Sequence, residues 1–269
     1  MPFLDRPCGW RLYFEVHGPP DGEPVVLLEG MGGDIPGWRR NIPRLARELR
    51  VVAYDLRGNG RSEGPDAPTT MATYVLDTVA LLDHLGIRRA HVYGQSFGGM
   101  VAQELALSHP ERVRTLVLAA THCGGTRAVR GSARPPKGEP WRALYAPSFP
   151  DRHPEHVAED LRVAAAQRRD PRGERRQWEA MQGFDACDRL PGIRAPTLVL
   201  HGTEDQMIPV ENALMLAERI PDAELVLLEG AGHLYHSERA EEADAAVLRF
   251  IRRHRGADGR GRAGGSDRG

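Results

Sequence analysis

Short apolar runs rich in β-branched and aromatic residues recur along the chain at Arg11–Val16, Val25–Glu29, Val51–Tyr54, Ala90–Tyr93, Thr115–Ala119, Thr197–Leu200 and Leu225–Leu228. Continuous apolar runs of this length predict strands buried on both faces. Between most of them lie segments whose apolar residues return at helical spacing, near residues 38–48, 71–85, 97–108 and 210–219. A last segment, near 238–254, carries Ala243, Ala246, Val247, Phe250 and Ile251 at that spacing. Strands alternating with helices predict an α/β fold, a mostly parallel twisted sheet with helices on both faces. Function in such sheets gathers at the carboxyl ends of the strands.

One interval breaks the rhythm. More than 70 residues separate the strand ending near Ala119 from the one starting near Thr197, too many for an ordinary connection. Helix-like pieces near 154–169 and 173–183, with Trp141, Tyr145, Phe149, Trp178 and Phe184, predict a helical cap over residues 124–190, inserted after the sixth strand. A plain crossover is the alternative. Residues 1–123 and 191–254 then form the core domain. The tail 255–269, nearly devoid of apolar residues, is expected to be disordered.

Composition narrows the classes. The 269 residues suit one α/β domain with an insertion, and 41% are hydrophobic, enough for a sizeable core. The formal net charge of −1 offers no field to recruit nucleic acid or an anionic membrane. No apolar run approaches the roughly 18 residues of a membrane span, and Met1 to Arg11 lacks a signal-peptide core. The three cysteines, Cys8, Cys123 and Cys187, are odd in number and far apart, with no C-x-x-C pattern. Reduced thiols in a cytoplasmic protein are expected.

The chemistry centres on Gly94-Gln95-Ser96-Phe97-Gly98, a G-x-S-x-G pattern between a predicted strand and a predicted helix. Such a turn exposes a serine hydroxyl while crowding the backbone, the arrangement of a nucleophile elbow. A serine needs a base, and the base an orienting acid, following in the order Ser, Asp/Glu, His. After the strand ending at Leu200 come Glu204 and Asp205. After the strand ending at Leu228 comes Gly230-Ala231-Gly232-His233, whose glycines let the ring bend inward. His236 is the rival base, while His122 and His201 follow strands and are expected to line the site.

Five segments resemble the α/β-hydrolase superfamily: Leu28–Gly33, Tyr54–Ser62, Gly94–Gly99, His201–Pro209 and Gly230–His233. Within it, Gly94–Gly125 and Trp178–Pro209 look like 3-oxoadipate enol-lactonases and small carboxylesterases and methyl esterases. The resemblance implies Asp205 as the acid, four residues before Pro209, with Glu204 as the fallback. It implies an oxyanion hole made by the backbone N–H groups of Met31 and Phe97, and neither metal nor organic cofactor. The implied activity is hydrolysis of a small-molecule ester or lactone through an acyl-enzyme. A non-hydrolytic biosynthetic enzyme, a small-molecule receptor, a cofactor-free haloperoxidase, an acyltransferase and a C–C bond hydrolase are the alternatives on the same fold.

The chain departs from that pattern at Glu29-Gly30, where most relatives carry His-Gly. A carboxylate about 6 Å from a developing oxyanion, at an effective dielectric near 20, costs roughly 3 kcal/mol, about a hundredfold in rate. Glu29 must therefore be paired, neutral or turned away. Two arrangements are expected to compete: an ion pair with Arg57, and hydrogen bonds to the amides of its own loop.

Overall fold

The computed structural model describes residues 2–65 and 67–255. Eight strands form one sheet: β1 (Phe3–Arg6), β2 (Trp10–His17), β3 (Glu23–Leu28), β4 (Leu49–Tyr54), β5 (Ala90–Gln95), β6 (Val113–Ala119), β7 (Thr197–Gly202) and β8 (Glu224–Leu228). Their spatial order is β1-β2-β4-β3-β5-β6-β7-β8. The first two pairings are antiparallel and the rest parallel. All seven predicted strands are present, extended by a few residues. Strand β1 was not predicted: it is four residues long with two charges, and its pairing with β2 (Phe3 opposite Tyr13) is what defines it.

The alternation of strand side chains assigns the two faces. Val26, Leu28, Val52 and Val92 point into a core with Tyr74, Leu81, Val101 and Leu105. The last four belong to helices α2 (Met71–His84) and α3 (Phe97–Ser108), which follow the short α1 (Ile42–Leu45) in the chain. Val25, Leu27, Val51 and Val117 face the other way, toward Leu45 of α1 and toward Val247 and Phe250. The predicted helix over 38–48 is only the single turn α1, preceded by a 3-10 turn at Ile35–Trp38, because Pro43 falls inside the span and offers no amide donor to a helix running through it.

The long interval holds α4 (Phe149–Arg152), α5 (Pro154–Ala166) and α6 (Pro171–Gln182). Asp170 caps α6, its Oδ1 accepting the Arg172 N–H at 2.9 Å ahead of Pro171 at the first helical turn. Tyr145, Ala146, Phe149 and Val157 form a small apolar cluster of their own, against which Leu234 packs. The chain then returns through β7, α7 (Glu211–Arg219), β8, α8 (Tyr235–Glu238) and α9 (Ala240–Arg253).

Two expectations are corrected. Cys123 and Cys187 are bonded, Sγ to Sγ at 2.00 Å, across 64 residues, so these thiols are not reduced. The bond closes the insertion at its base, where Ala186 N–H donates to Cys123 O at 2.8 Å. Disulfides are rare in reducing compartments, so the thiol-based ground for a cytoplasmic location is removed. The second correction is Arg57, which is bidentate to Asp77 at 2.7 and 2.8 Å and not paired with Glu29. Among the described residues no helix is long and apolar enough to cross a membrane. The predicted tail lies outside the described residues beyond Arg255, which itself pairs with Glu23 at 2.8 Å.

Candidate active site

The parallel sheet reverses its direction of growth between β3 and β5, since β4 lies on one side of β3 and β5 on the other. Loops leaving the carboxyl ends of these neighbours diverge and open a crevice. Ser96 lies there, between the end of β5 and the start of α3. Its backbone has φ 53° and ψ −117°, a conformation non-glycine residues rarely adopt. The turn is held by Ser96 N–H on Ala119 O at 2.9 Å and by Thr121 Oγ1 on Ser96 O at 2.7 Å. Glycine is required beside it: a Cβ on Gly94 would fall 2.3 Å from Gly98 O, and one on Gly98 2.1 Å from Leu28 O. Strain at a residue that points into a crevice is the physical content of the sequence pattern.

His233 follows β8 and Asp205 follows β7. His233 Nδ1 lies 2.8 Å from Asp205 Oδ2. The other carboxylate oxygen, Oδ1, accepts the Met207 and Ile208 N–H groups, both at 2.8 Å. With Nδ1 donating to Asp205, neutral His233 has Nε2 as its basic nitrogen. The Gln95 amide nitrogen approaches that Nε2 at 3.5 Å. Glu204 is exposed and makes no contact with His233, so of the two acidic residues Asp205 is the one the structure brings to it. Burial would raise the Asp205 carboxyl, but the imidazoles of His233 and His201 and the Ile208 amide outweigh it, and the group is held below its usual range. Burial likewise opposes the charged form of His233, yet Asp205, Glu29 and Glu238 hold the imidazole above its ordinary value.

The other histidines are placed differently. His236 packs its ring against Trp38, 5.4 Å between centroids, with Nδ1 unpartnered. Burial pushes it down to about 3, so it stays neutral, and no carboxylate orients it as Asp205 orients His233. His122 accepts the Gly124 N–H on Nδ1 at 3.0 Å, and burial pushes it down to about 4. His201 Nε2 lies 2.8 Å from Ile208 O, beneath Asp205.

Ser96 and His233 share a cavity of about 420 Å3 with Glu29, Met31, Leu144 and Val163. A larger surface hollow, about 790 Å3 beside Arg44 and Glu241, includes neither Ser96 nor His233. Neither the Met31 nor the Phe97 N–H donates to another described residue. Glu29 is 6% exposed and its Oε1 accepts the Gly30 N–H at 3.0 Å. This is the own-loop arrangement, and it displaces the Arg57 pair. Its side chain lies in a nest of glycine: a Cβ on Gly33 would fall 2.4 Å from Glu29 Cγ, and one on Gly37 2.9 Å from Oε2. Burial pushes Glu29 up to about 7, against the Gly30 N–H and with help from Asp34. Near neutral pH it is thus only partly ionised, which removes much of the repulsion expected beside an oxyanion.

Sequence reasoning missed Gln177, on α6. It is fully buried and its Oε1 accepts the Gly32 N–H at 2.9 Å across 145 residues. Gln167 likewise donates to Asp34 Oδ1 at 2.7 Å. No local pattern marks either residue, because each contact joins segments far apart in sequence.

A sequence model described as "alpha/beta hydrolase fold" matches residues 23–170 and 162–240. The chain belongs to the α/β-hydrolase family. As a family member it is similar to a Variovorax paradoxus protein named "Putative carbamate hydrolase RutD", 33% identical over 256 residues, covering 90% of this chain and 96% of the relative. Among solved structures, it is similar to an enol-lactonase from Burkholderia xenovorans LB400, with a TM-score of 0.80 and 28% identity, covering 93% of this chain and all of the other. A thermophilic esterase from Thermogutta terrifontis, also at TM-score 0.80 and 28% identity, covers 94% and 97%. The mostly parallel eight-stranded sheet of this α/β hydrolase agrees with these likenesses.

Proposed function

We propose that this α/β hydrolase cleaves a carboxylic ester or lactone of a small molecule through an acyl-enzyme on Ser96. The observation that carries the reading is the strained Ser96 opening into the same cavity as a His233 whose Nδ1 is held by Asp205. In this mechanism His233 Nε2 takes the Ser96 hydroxyl proton as Oγ bonds to the carbonyl carbon. The carbonyl electron pair moves onto oxygen, where the Met31 and Phe97 N–H groups stabilise it. Collapse expels the alkoxide, which leaves with the proton from His233. Water then repeats the sequence, with His233 as base, and releases the acid. The insertion over residues 124–190 acts as the cap that excludes bulk water from this cavity.

The enol-lactonase and esterase likenesses support an ester or lactone carbonyl. The RutD likeness favours a second reading, a carbamate carbonyl, attacked by the same machinery. Hydrolysis of 4-nitrophenyl butyrate, a matched lactone and a matched carbamate separates the two. Ser96→Ala is expected to lower kcat by at least about 1,000-fold on whichever is turned over and to abolish fluorophosphonate labelling. Unaltered turnover in Ser96→Ala, or an unlabelled wild-type serine, would overturn the proposal.

A further inference from the structure

Three consecutive amides, those of Gly30, Met31 and Gly32, leave β3 toward the cavity. The first donates to Glu29 Oε1 at 3.0 Å and the third to Gln177 Oε1 at 2.9 Å. Between them the Met31 N–H is left without a partner among the described residues, and Met31 lines the Ser96 cavity. Both acceptors are buried, Glu29 at 6% exposure and Gln177 at 0%. Successive amides in such a loop form a concavity that suits an anion, and tying down the two outer ones helps set where the middle one aims.

The loop has further anchors, which makes the two clamps specific and not generic. Asn59 Nδ2 donates to Gly33 O at 3.0 Å, Gly33 N–H to Gly30 O at 3.1 Å, and Ile35 N–H to Asp55 Oδ1 at 2.8 Å. The Asn59 and Asp55 contacts hold the far end, after Met31, while the Gly33 N–H closes a turn on the carbonyl of the Gly30–Met31 peptide itself and shares in orienting it. Only Glu29 and Gln177 touch the amides that flank it.

We infer that Glu29 and Gln177 are a pair of positioning residues that aim the Met31 N–H at the oxyanion by accepting the amides on either side of it. The inference rests on the serine-hydrolase reading and gives it a regulatory consequence. Gln177 belongs to α6, so the insertion contributes to the oxyanion hole, and a shift of α6 would slacken it. Packing alone does not account for Gln177. Its Nε2 is buried without a partner among the described residues, a desolvation cost that an apolar side chain would avoid. The position keeps an acceptor where stability alone favours none.

The test compares Gln177→Met, Glu29→Met and Glu29→Gln with wild type on 4-nitrophenyl butyrate, and measures inhibition by an alkyl trifluoromethyl ketone, whose serine hemiketal places an oxyanion in the hole. A donor displaced by about 1 Å costs on the order of 100-fold in rate, so each Met variant should lose about 10- to 100-fold in kcat. KM should change little, and ketone affinity should fall in step with kcat. Glu29→Gln keeps the acceptor oxygen and should restore most of what Glu29→Met loses. Should Gln177→Met fail to fold, the Met–Gln contrast at position 29 still decides. A Gln177→Met enzyme as fast as wild type would overturn the inference. So would a rise in KM with kcat preserved, or a Glu29→Gln enzyme as slow as Glu29→Met. Absence of Ser96-dependent turnover in wild type would instead defeat the underlying reading, and the inference with it.

Discussion

Glu29 is the residue at which this hydrolase departs most from the resemblance that its sequence suggests. Its anion raises His233, and its own proton is held by burial up to about 7. In the proposed mechanism the base, His233, must be neutral, so the acid limb of kcat/KM is expected above the ordinary imidazole value of 6.5. Glu29→Gln removes one cause of that elevation and should move the limb to lower pH, as a pH–rate profile would show. Stability changes in the same variant for a separate reason. A buried acid whose folded pKa exceeds its unfolded 4.5 favours the neutral form, so wild-type stability falls as pH rises from about 4.5 through 7. The full cost above that window is about 3 kcal/mol. Glu29→Gln should therefore gain stability over wild type at pH 8 and not at pH 4, measured by urea unfolding at the two values. The sequence shows a carboxylate immediately before Gly30 and Met31. Its solution, an amide of its own loop and a bed of Gly33 and Gly37 instead of an arginine, depends on side-chain placement that no spacing encodes.

At the level of elements, most of the α/β rhythm was legible. α3 is found at 97–108 as predicted, and α2, α7 and α9 within a residue or two, because their apolar stripes face one core and the strands between them are apolar throughout. The exceptions have local causes: Pro43 shortens the helix over 38–48, and β1 and α8 are too short to carry a period. The disulfide was not legible at all. Nothing in a 64-residue separation announces Cα atoms 4.9 Å apart, since the approach is produced by an antiparallel bridge between Gly124 and Asp185 that joins the two ends of the insertion. Two measurements check it. Protein denatured without reductant should show one titratable thiol, because two of its three cysteines are paired. Cys187→Ser should lower unfolding free energy by up to about 4 kcal/mol, the chain-entropy value for a loop of this size.

Across the whole molecule, the insertion is fastened to the core by Asp160 of α5. Its carboxylate takes hydrogen bonds from Arg39, from Arg40 at 3.1 Å, from Tyr145 at 3.1 Å and from Ser237 at 2.6 Å. Burial opposes the charge, but Ser237 and the two arginines prevail and hold the group below its usual 3.8. Asp160→Ala removes four hydrogen bonds and leaves Arg39 and Arg40 with the more exposed Glu159 alone, and should cost about 2 kcal/mol at pH 7, read from urea unfolding. The stabilisation is complete above pH 3.8 and is lost as pH falls through the folded value, so the difference between variant and wild type should shrink in acid. From residue order and periodicity alone came the alternating layers, the elbow at Ser96, and the succession of Ser96, an acid loop and His233, because each is written in neighbouring residues. Which of Glu204 and Asp205 meets His233, where Glu29 rests, how Cys123 finds Cys187 and how Gln177 reaches Gly32 emerged on folding. Each is a contact between distant segments, and its geometry exists only once the sheet has set the carboxyl ends of its strands side by side.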